Sequence, residues 1–248
     1  MLRMMAVTAH PDDEAGAMGG TLRLYAERGV ETCVVCLTPG QAARNRGSAK
    51  SDQELAAIRR KEFAASCEIL KIARGVVLDY PDGKLHLQES YRVVCEVVRQ
   101  IREYRPQVIL SFGPEGAATA HTDHSMASVF ATLAFQWAAH NNRYQDQFET
   151  GLKPHRAQKL YYATADFFLD DRQPVAFAPA TAVIDIGPYL ETKIEAFHAH
   201  HTQAPIFPLF RDRVARGTRK ELFHLAARTA LGPMEQETDL FAGVSDEE

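Results

Sequence analysis

From Arg3 to Phe112 the chain alternates short apolar or β-branched runs with amphipathic helical stretches, and that alternation is what most constrains its fold. Arg3 to Ala9 and Glu31 to Leu37 read as strands, with a helix from Gly19 to Arg28 between them and Gly29 at the usual place of a left-handed C-terminal cap. Ser51-Asp-Gln-Glu54 has the capping-box pattern ahead of Leu55, Ile58, Phe63, Ile69 and Leu70, a long amphipathic helix. Val76 to Leu78 makes a third strand, Tyr91 to Tyr104 a helix that Pro106 helps to end, and Gln107 to Phe112 a fourth strand. Repeated βα units with short connections predict an α/β protein: a Rossmann-like three-layer α/β/α sandwich with a mostly parallel sheet. Leu160 to Ala163 and Val183 to Ile186 are further strand candidates, and helices are expected near Tyr189 to His200 and Arg219 to Ala230. Residues 113–120 and 170–180 read as loops and Asp246-Glu-Glu248 as a frayed end. No linker or repeat divides the sequence, so residues 1–248 are expected to form one domain.

With 46% hydrophobic and 24% charged residues, the chain has the balance of a soluble globular protein with a sizeable core. Its formal net charge of −4 offers no broad basic field for a phosphate backbone, so no nucleic acid partner is expected. No run approaches the roughly 20 apolar residues of a membrane helix, and the sequence begins almost at once with the strand-like Met4-Met5-Ala6-Val7. Neither membrane anchor nor signal peptide is expected. Cys33, Cys36, Cys67 and Cys95 lie in apolar segments without the density of a secreted disulfide framework, which points to a reducing, cytoplasmic setting. Cys33 and Cys36 stand three apart on a strand, a spacing that turns them to opposite faces rather than into a redox pair.

His10-Pro11-Asp12-Asp13-Glu14 follows the first strand and precedes the first helix, and His121-Thr122-Asp123-His124 follows the fourth strand. In open α/β sheets ligands bind beyond the carboxyl ends of the strands where strand order reverses, and in the order 3-2-1-4 that crevice lies between strands one and four. The two clusters are therefore expected to meet. Two imidazoles and a carboxylate, with a fourth position left for water, suit a catalytic zinc ion, and His10, Asp13 and His124 supply that set. Asp12, beside a ligand but turned differently, is the candidate acceptor for a proton from the attacking water, and His121 the candidate for the oxyanion or leaving amine. Either cluster alone also reads as ordinary helix capping, by Asp12–Glu14 in one case and Asp123 in the other.

Together the two motifs resemble the zinc-dependent LmbE and PIG-L family of sugar N-deacetylases, which have a Rossmann-like fold. Thr38-Pro-Gly40, Arg59-Arg-Lys-Glu62, Asp82-Gly83, Lys193-x-x-Ala196 with His200-His-Thr-Gln203, and Asp239-Leu-Phe-Ala-Gly243 extend the likeness along most of the chain. The resemblance implies His10, Asp13 and His124 as metal ligands, Asp12 as general base, and His121 as the transition-state histidine, held by an acidic group for which Asp123 is the candidate. It further implies Arg59 and Asp82 as contacts to sugar hydroxyls. Arg59 also reads as half of a surface ion pair, and Asp82 before Gly83 as turn chemistry. The run Gly40-Gln-Ala-Ala-Arg-Asn45 is most similar to the branch that deacetylates N-acetylglucosaminyl malate in bacillithiol synthesis. Arg44 and Arg46 could read an anionic aglycone or simply solvate a loop. Thr122 replaces the family's common Pro, and Thr119 stands where some relatives have a Tyr.

The expected partner is thus a small amino sugar and the expected cofactor one zinc ion, with iron or another divalent ion also suited to the site. Chitooligosaccharides and non-sugar N-acyl compounds are alternative substrates, and a metal-binding module without catalysis is an alternative of another class. A nucleotide-binding Rossmann protein is disfavoured, because carboxylates replace the G-x-G-x-x-G turn and would repel a pyrophosphate. The sequence leaves open the role of His200 and the number of copies in the assembly, a homo-oligomer included.

Overall fold

Met4, Met5, Ala6 and Val7 have no exposed surface, as a strand needs when helices cover both faces of its sheet. In the computed structural model of the protein this strand, β1 (Arg3–Thr8), lies between β2 (Glu31–Cys36) and β4 (Val108–Phe112), parallel to both. The structure describes residues 1–169, 175–216, 219–233 and 235–245. Residues 170–174 of the expected 170–180 loop, and the expected frayed end Asp246–Glu248, lie outside the described residues. The sheet is completed by β3 (Arg74–Val77), β5 (Lys159–Thr164), β6 (Ala182–Asp185) and β7 (Lys220–Arg228), in the order β3-β2-β1-β4-β5-β7-β6. The first five are mutually parallel, and β7 pairs antiparallel with both β5 and β6. The sheet is therefore mostly parallel, with the predicted strand order 3-2-1-4 and its reversal between β1 and β4.

The helices are α1 (Asp13–Glu27), α2 (Asp52–Ile69), α3 (Ser90–Tyr104), α4 (Thr122–Trp137), the single turn α5 (Asp146–Glu149), α6 (Leu190–His198) and α7 (Phe207–Arg216). On α2 the capping box forms: Ser51 Oγ accepts from the Glu54 amide at 3.1 Å. No helix among the described residues is long and apolar enough to cross a membrane.

Two expectations change. The segment 219–230, read as a helix from its Leu, Ala, Lys and Glu content, is strand β7. Its buried positions Glu221, Phe223 and Leu225 alternate along the chain, and pairing along both edges outweighs its helical propensity. Helix α1 begins at Asp13 rather than Gly19. Its glycines mark close approach rather than a late start: a Cβ on Gly20 would stand 2.6 Å from Ile186 Cβ. The helix kinks at Met18, and the Glu221 carboxylate accepts from Gly20 N at 3.0 Å and Thr21 N at 2.8 Å. Lys193 of α6 neutralises that buried carboxylate at 2.6 Å.

Arg102 of α3 is fully buried, and its guanidinium donates to the carbonyls of Ala138, His140, Arg143 and Tyr144 and to Gln147 Oε1. It thereby ties off the end of α4 and shapes the loop that follows. Cys33 and Cys36 are buried free thiols, and Cys36 Sγ donates to Thr38 O at 3.1 Å.

Candidate metal centre and catalytic turn

The turn after β1 and the loop after β4 emerge side by side at the carboxyl edge of the sheet, and they bring His10, Asp13, His121 and His124 together. Ring centroids of His10 and His124 are 5.3 Å apart, those of His10 and His121 4.8 Å, and those of His121 and His124 5.2 Å. Asp13, at the first position of α1, accepts through Oδ2 from Ala9 N at 3.0 Å and His10 N at 2.8 Å, which directs Oδ1 to His124 Nε2 at 3.1 Å. His10 Nδ1 faces the same carboxylate at 3.7 Å.

The far side of each imidazole has its own partner. His10 Nε2 donates to Asp82 Oδ1 at 3.1 Å and Asp123 Oδ2 at 3.3 Å. Thr119 Oγ1 donates to Gly116 O, so it accepts from His124 Nδ1 at 3.3 Å, while Phe112 stacks on the His124 ring at 4.1 Å. These contacts leave His10 Nδ1 and His124 Nε2 as the nitrogens that face Asp13. Imidazoles held through their outer nitrogens, with a carboxylate between the inner ones, are the donor set of a metal site with its supporting hydrogen bonds. Atoms bound to one tetrahedral ion at ~2.1 Å lie roughly 3.4 Å apart, a value bracketed by His124 Nε2–Asp13 Oδ1 at 3.1 Å and His10 Nδ1–Asp13 Oδ2 at 3.7 Å, which reach different oxygens of the carboxylate. The donor chemistry suits a divalent ion, and among the described residues potential ligand atoms lie within 4.8 Å of one another in two groups that share His10: His10, His121 and His124, and His10, Asp82 and Asp123.

The electrostatics agree. Burial alone would lower the pKa of His10, but hydrogen bonds to Asp123 and Asp82 and the charge of Asp13 push it up to about 10, which marks a place that favours positive charge. Burial would raise Asp13, yet the neighbouring His124 and His10 pull it well below the usual carboxylate range. His121 is shifted down by burial and by the two other histidines. Its Nδ1 accepts from the Asp123 amide at 3.1 Å as the N-cap of α4, so in the neutral ring Nε2 carries the hydrogen.

Asp12 is the strained residue of the turn, with φ 116° and ψ −24°, a left-handed conformation costly for any side chain but glycine's hydrogen. Burial and the adjacent Asp13 push its pKa up, against the opposing pull of Arg59. Its carboxylate accepts from Arg59 Nη2 at 2.8 Å. The same guanidinium donates to Pro11 O and to Gly40 O, and a Cβ on Gly40 (φ 68°) would run into it.

Three residues given roles from the sequence have other partners in the structure. Arg59 is 2% exposed, and its fork is taken up by Asp12, Pro11 O and Gly40 O. Asp82 is taken up by His10 and, through Oδ2, by the Ala42 amide at 2.9 Å, so it braces a ligand and the loop after β2. Asp123 does not hold His121 through its carboxylate, which accepts from His10 Nε2, Gly83 N at 2.7 Å and Leu85 N at 3.1 Å. Arg46 pairs with Asp52 at 2.7 Å, whereas Arg44 is exposed and has no ion pair among the described residues. The sequence placed Glu14 only among helix-capping acids and gave no sign of Ser66; both are buried behind the turn.

Comparison with known proteins supplies the family. The sequence model of the PIG-L family, described as GlcNAc-PI de-N-acetylase, matches residues 5–135, slightly more than half of the chain. A mycothiol S-conjugate amidase of Streptomyces coelicolor is 28% identical over 99% of this chain and 98% of its own length. A probable N-acetyl-alpha-D-glucosaminyl L-malate deacetylase 2 of Bacillus cereus is 35% identical over 49% of this chain and 56% of its own. Among solved structures, the N,N'-diacetylchitobiose deacetylase of Pyrococcus horikoshii has the same fold, with a TM-score of 0.74, 24% identity, and coverage of 90% of this chain and 83% of that one. The turn after β1, the histidine pair after β4 and the match across 5–135 place this chain in the PIG-L family of de-N-acetylases.

Proposed function

We propose that this protein is a zinc-dependent hydrolase that removes the acetyl group from an N-acetylglucosaminide. The observation that carries the reading is the convergence of His10, Asp13 and His124 beside Asp12, a carboxylate held apart from the ligand set by Arg59. When bound, zinc supplies Lewis acidity to the amide carbonyl and makes the attacking water a stronger acid. Asp12 accepts the proton of that water; its raised pKa suits it to take a proton and to return one. His121 Nε2–H, at the rim of the histidine cluster, donates to the developing oxyanion or the departing nitrogen. Asp82, Asp123 and Thr119 keep the ligand rings in the required tautomers.

The exposed Arg44, on the loop fastened to Asp82 through Ala42, supports an anionic aglycone and makes N-acetylglucosaminyl malate the leading candidate. The likeness to the Bacillus cereus protein points the same way, while the amidase and chitobiose relatives keep other glycosides in contention. Acetate release from matched malate, inositol and chitobiose N-acetylglucosaminides tests the proposal. Preference for the malate compound, reduced in Arg44→Ala, is the expected result. Equal rates on all three would overturn the malate assignment, and no acetate from any of them would overturn the deacetylase.

A further inference from the structure

Behind the catalytic turn lies a second buried polar cluster that the proposed chemistry does not use. Glu14, Ser66 and His200 each have no exposed surface, although they come from α1, α2 and the segment after α6. Glu14 Oε1 accepts from His200 Nε2 at 2.7 Å and from Ser66 Oγ at 2.6 Å, and Glu14 Oε2 accepts from the backbone amide of Asp12 at 3.0 Å. Two residues beyond His200, Thr202 donates its amide and hydroxyl to the buried Glu62 of α2 at 2.7 and 2.6 Å. Arg59, Glu62 and Ser66 thus line one face of α2, spaced at three and four residues, and fasten Asp12, Thr202 and Glu14 in turn.

The contact at Asp12 N gives the cluster a purpose. A left-handed aspartate persists only where its surroundings over-determine it. Two devices do so here: Arg59 grips the side chain and the carbonyl before it, and Glu14 grips the amide. A buried carboxylate holds such a post only when donors meet it, and His200 supplies one through Nε2 at 2.7 Å, its pKa raised by Glu14 against the pull of burial. His200 Nε2 is committed to Glu14, so His200 is not placed as a fourth metal ligand.

We propose that Glu14 and His200 are positioning residues which act through the Asp12 amide to hold the proton-accepting carboxylate in its working orientation. The inference rests on Asp12 being the base. In metal-replete protein, His200→Gln and Glu14→Gln are each expected to lower kcat for acetate release from N-acetylglucosamine by about 10–100-fold with KM within about twofold, the signature of an interaction made in the transition state. Combined with Asp12→Ala, His200→Gln should slow the enzyme no further, because both changes remove the same contribution. Independent, multiplying losses would overturn the proposal. If His200→Gln does not fold, Ser66→Ala removes one donor to Glu14 and should shift kcat in the same direction by about 3–10-fold.

A crystal structure of His200→Gln provides a readout independent of substrate. The expected result is an Asp12 backbone that has left φ near 116°; retention of that angle would overturn the proposal. A relaxed turn in a protein whose wild type releases no acetate would uphold the positioning role and reject the deacetylase.

Discussion

Asp12 and Arg59 lie 47 residues apart in the chain and meet at 2.8 Å behind the turn, the proposed base being fastened by a guanidinium that also holds the carbonyls of Pro11 and Gly40. An arginine so placed acts on the rate rather than on recognition. Arg59→Lys should lower kcat by about 10–100-fold with little change in KM, because an ammonium cannot span three acceptors. Steady-state kinetics on the metal-loaded protein decide this; a rise confined to KM would return Arg59 to the sugar.

Metal binding should stabilise the fold by mass action, by about 2.7 kcal/mol at a free metal concentration one hundred times Kd. Dialysis against a chelator is expected to lower Tm, and added zinc to restore it. His124→Ala should bind no stoichiometric metal by elemental analysis and show no such shift. An unchanged Tm across the chelator series in wild type would remove the metal from the account.

Arg102 is a structural counterpart to Arg59. Arg102→Met leaves several carbonyls of the loop after α4 without a donor, at about 1–3 kcal/mol for each that water does not reach. Urea denaturation should show a loss of about 3 kcal/mol or more, with kcat intact at low temperature.

The His200–Glu14 pair gives stability a pH dependence of known sign. A histidine whose folded pKa lies above its unfolded value contributes fully below about 6.5, and the contribution disappears as pH rises through the folded value. The difference in unfolding free energy between wild type and His200→Gln, measured at fixed metal saturation, should therefore shrink as pH climbs above about 6.5. A difference that grows with pH would contradict the assignment.

Burial pushes the Cys33 thiol up to about 12 and raises that of Cys36 well above its ordinary value. Neither should react with a thiol reagent in the native protein at pH 8, and mild oxidant should not join them. In urea all four cysteines should react.

The convergence of His10, Asp13 and His124 was legible in the sequence because these residues sit at ends of strands, where strand order alone brings them to one crevice. The roles of Arg59, Asp82 and Asp123 were not, since a residue's neighbours along the chain do not tell which way a buried guanidinium or carboxylate turns. Arg59 lies on a helix that reads as amphipathic, yet it belongs to the buried polar face with Glu62 and Ser66. Strand β7 was misread for a related reason. Its helix-forming residues carry the alternation Glu221, Phe223, Leu225 only faintly, and the partner strands β5 and β6 decide the outcome.

The kink in α1 has a consequence for how the protein comes into being. Gly20 waits for a carboxylate 201 residues downstream. At roughly 5–20 residues per second, a ribosome needs about 10–40 s to make that stretch. Throughout that interval the amides of Gly20 and Thr21 lack the Glu221 carboxylate, and the helix behind the catalytic turn lacks its clamp. Every proposed ligand has been synthesised by residue 124, but the helix that carries Asp13 is locked only when the final strand arrives.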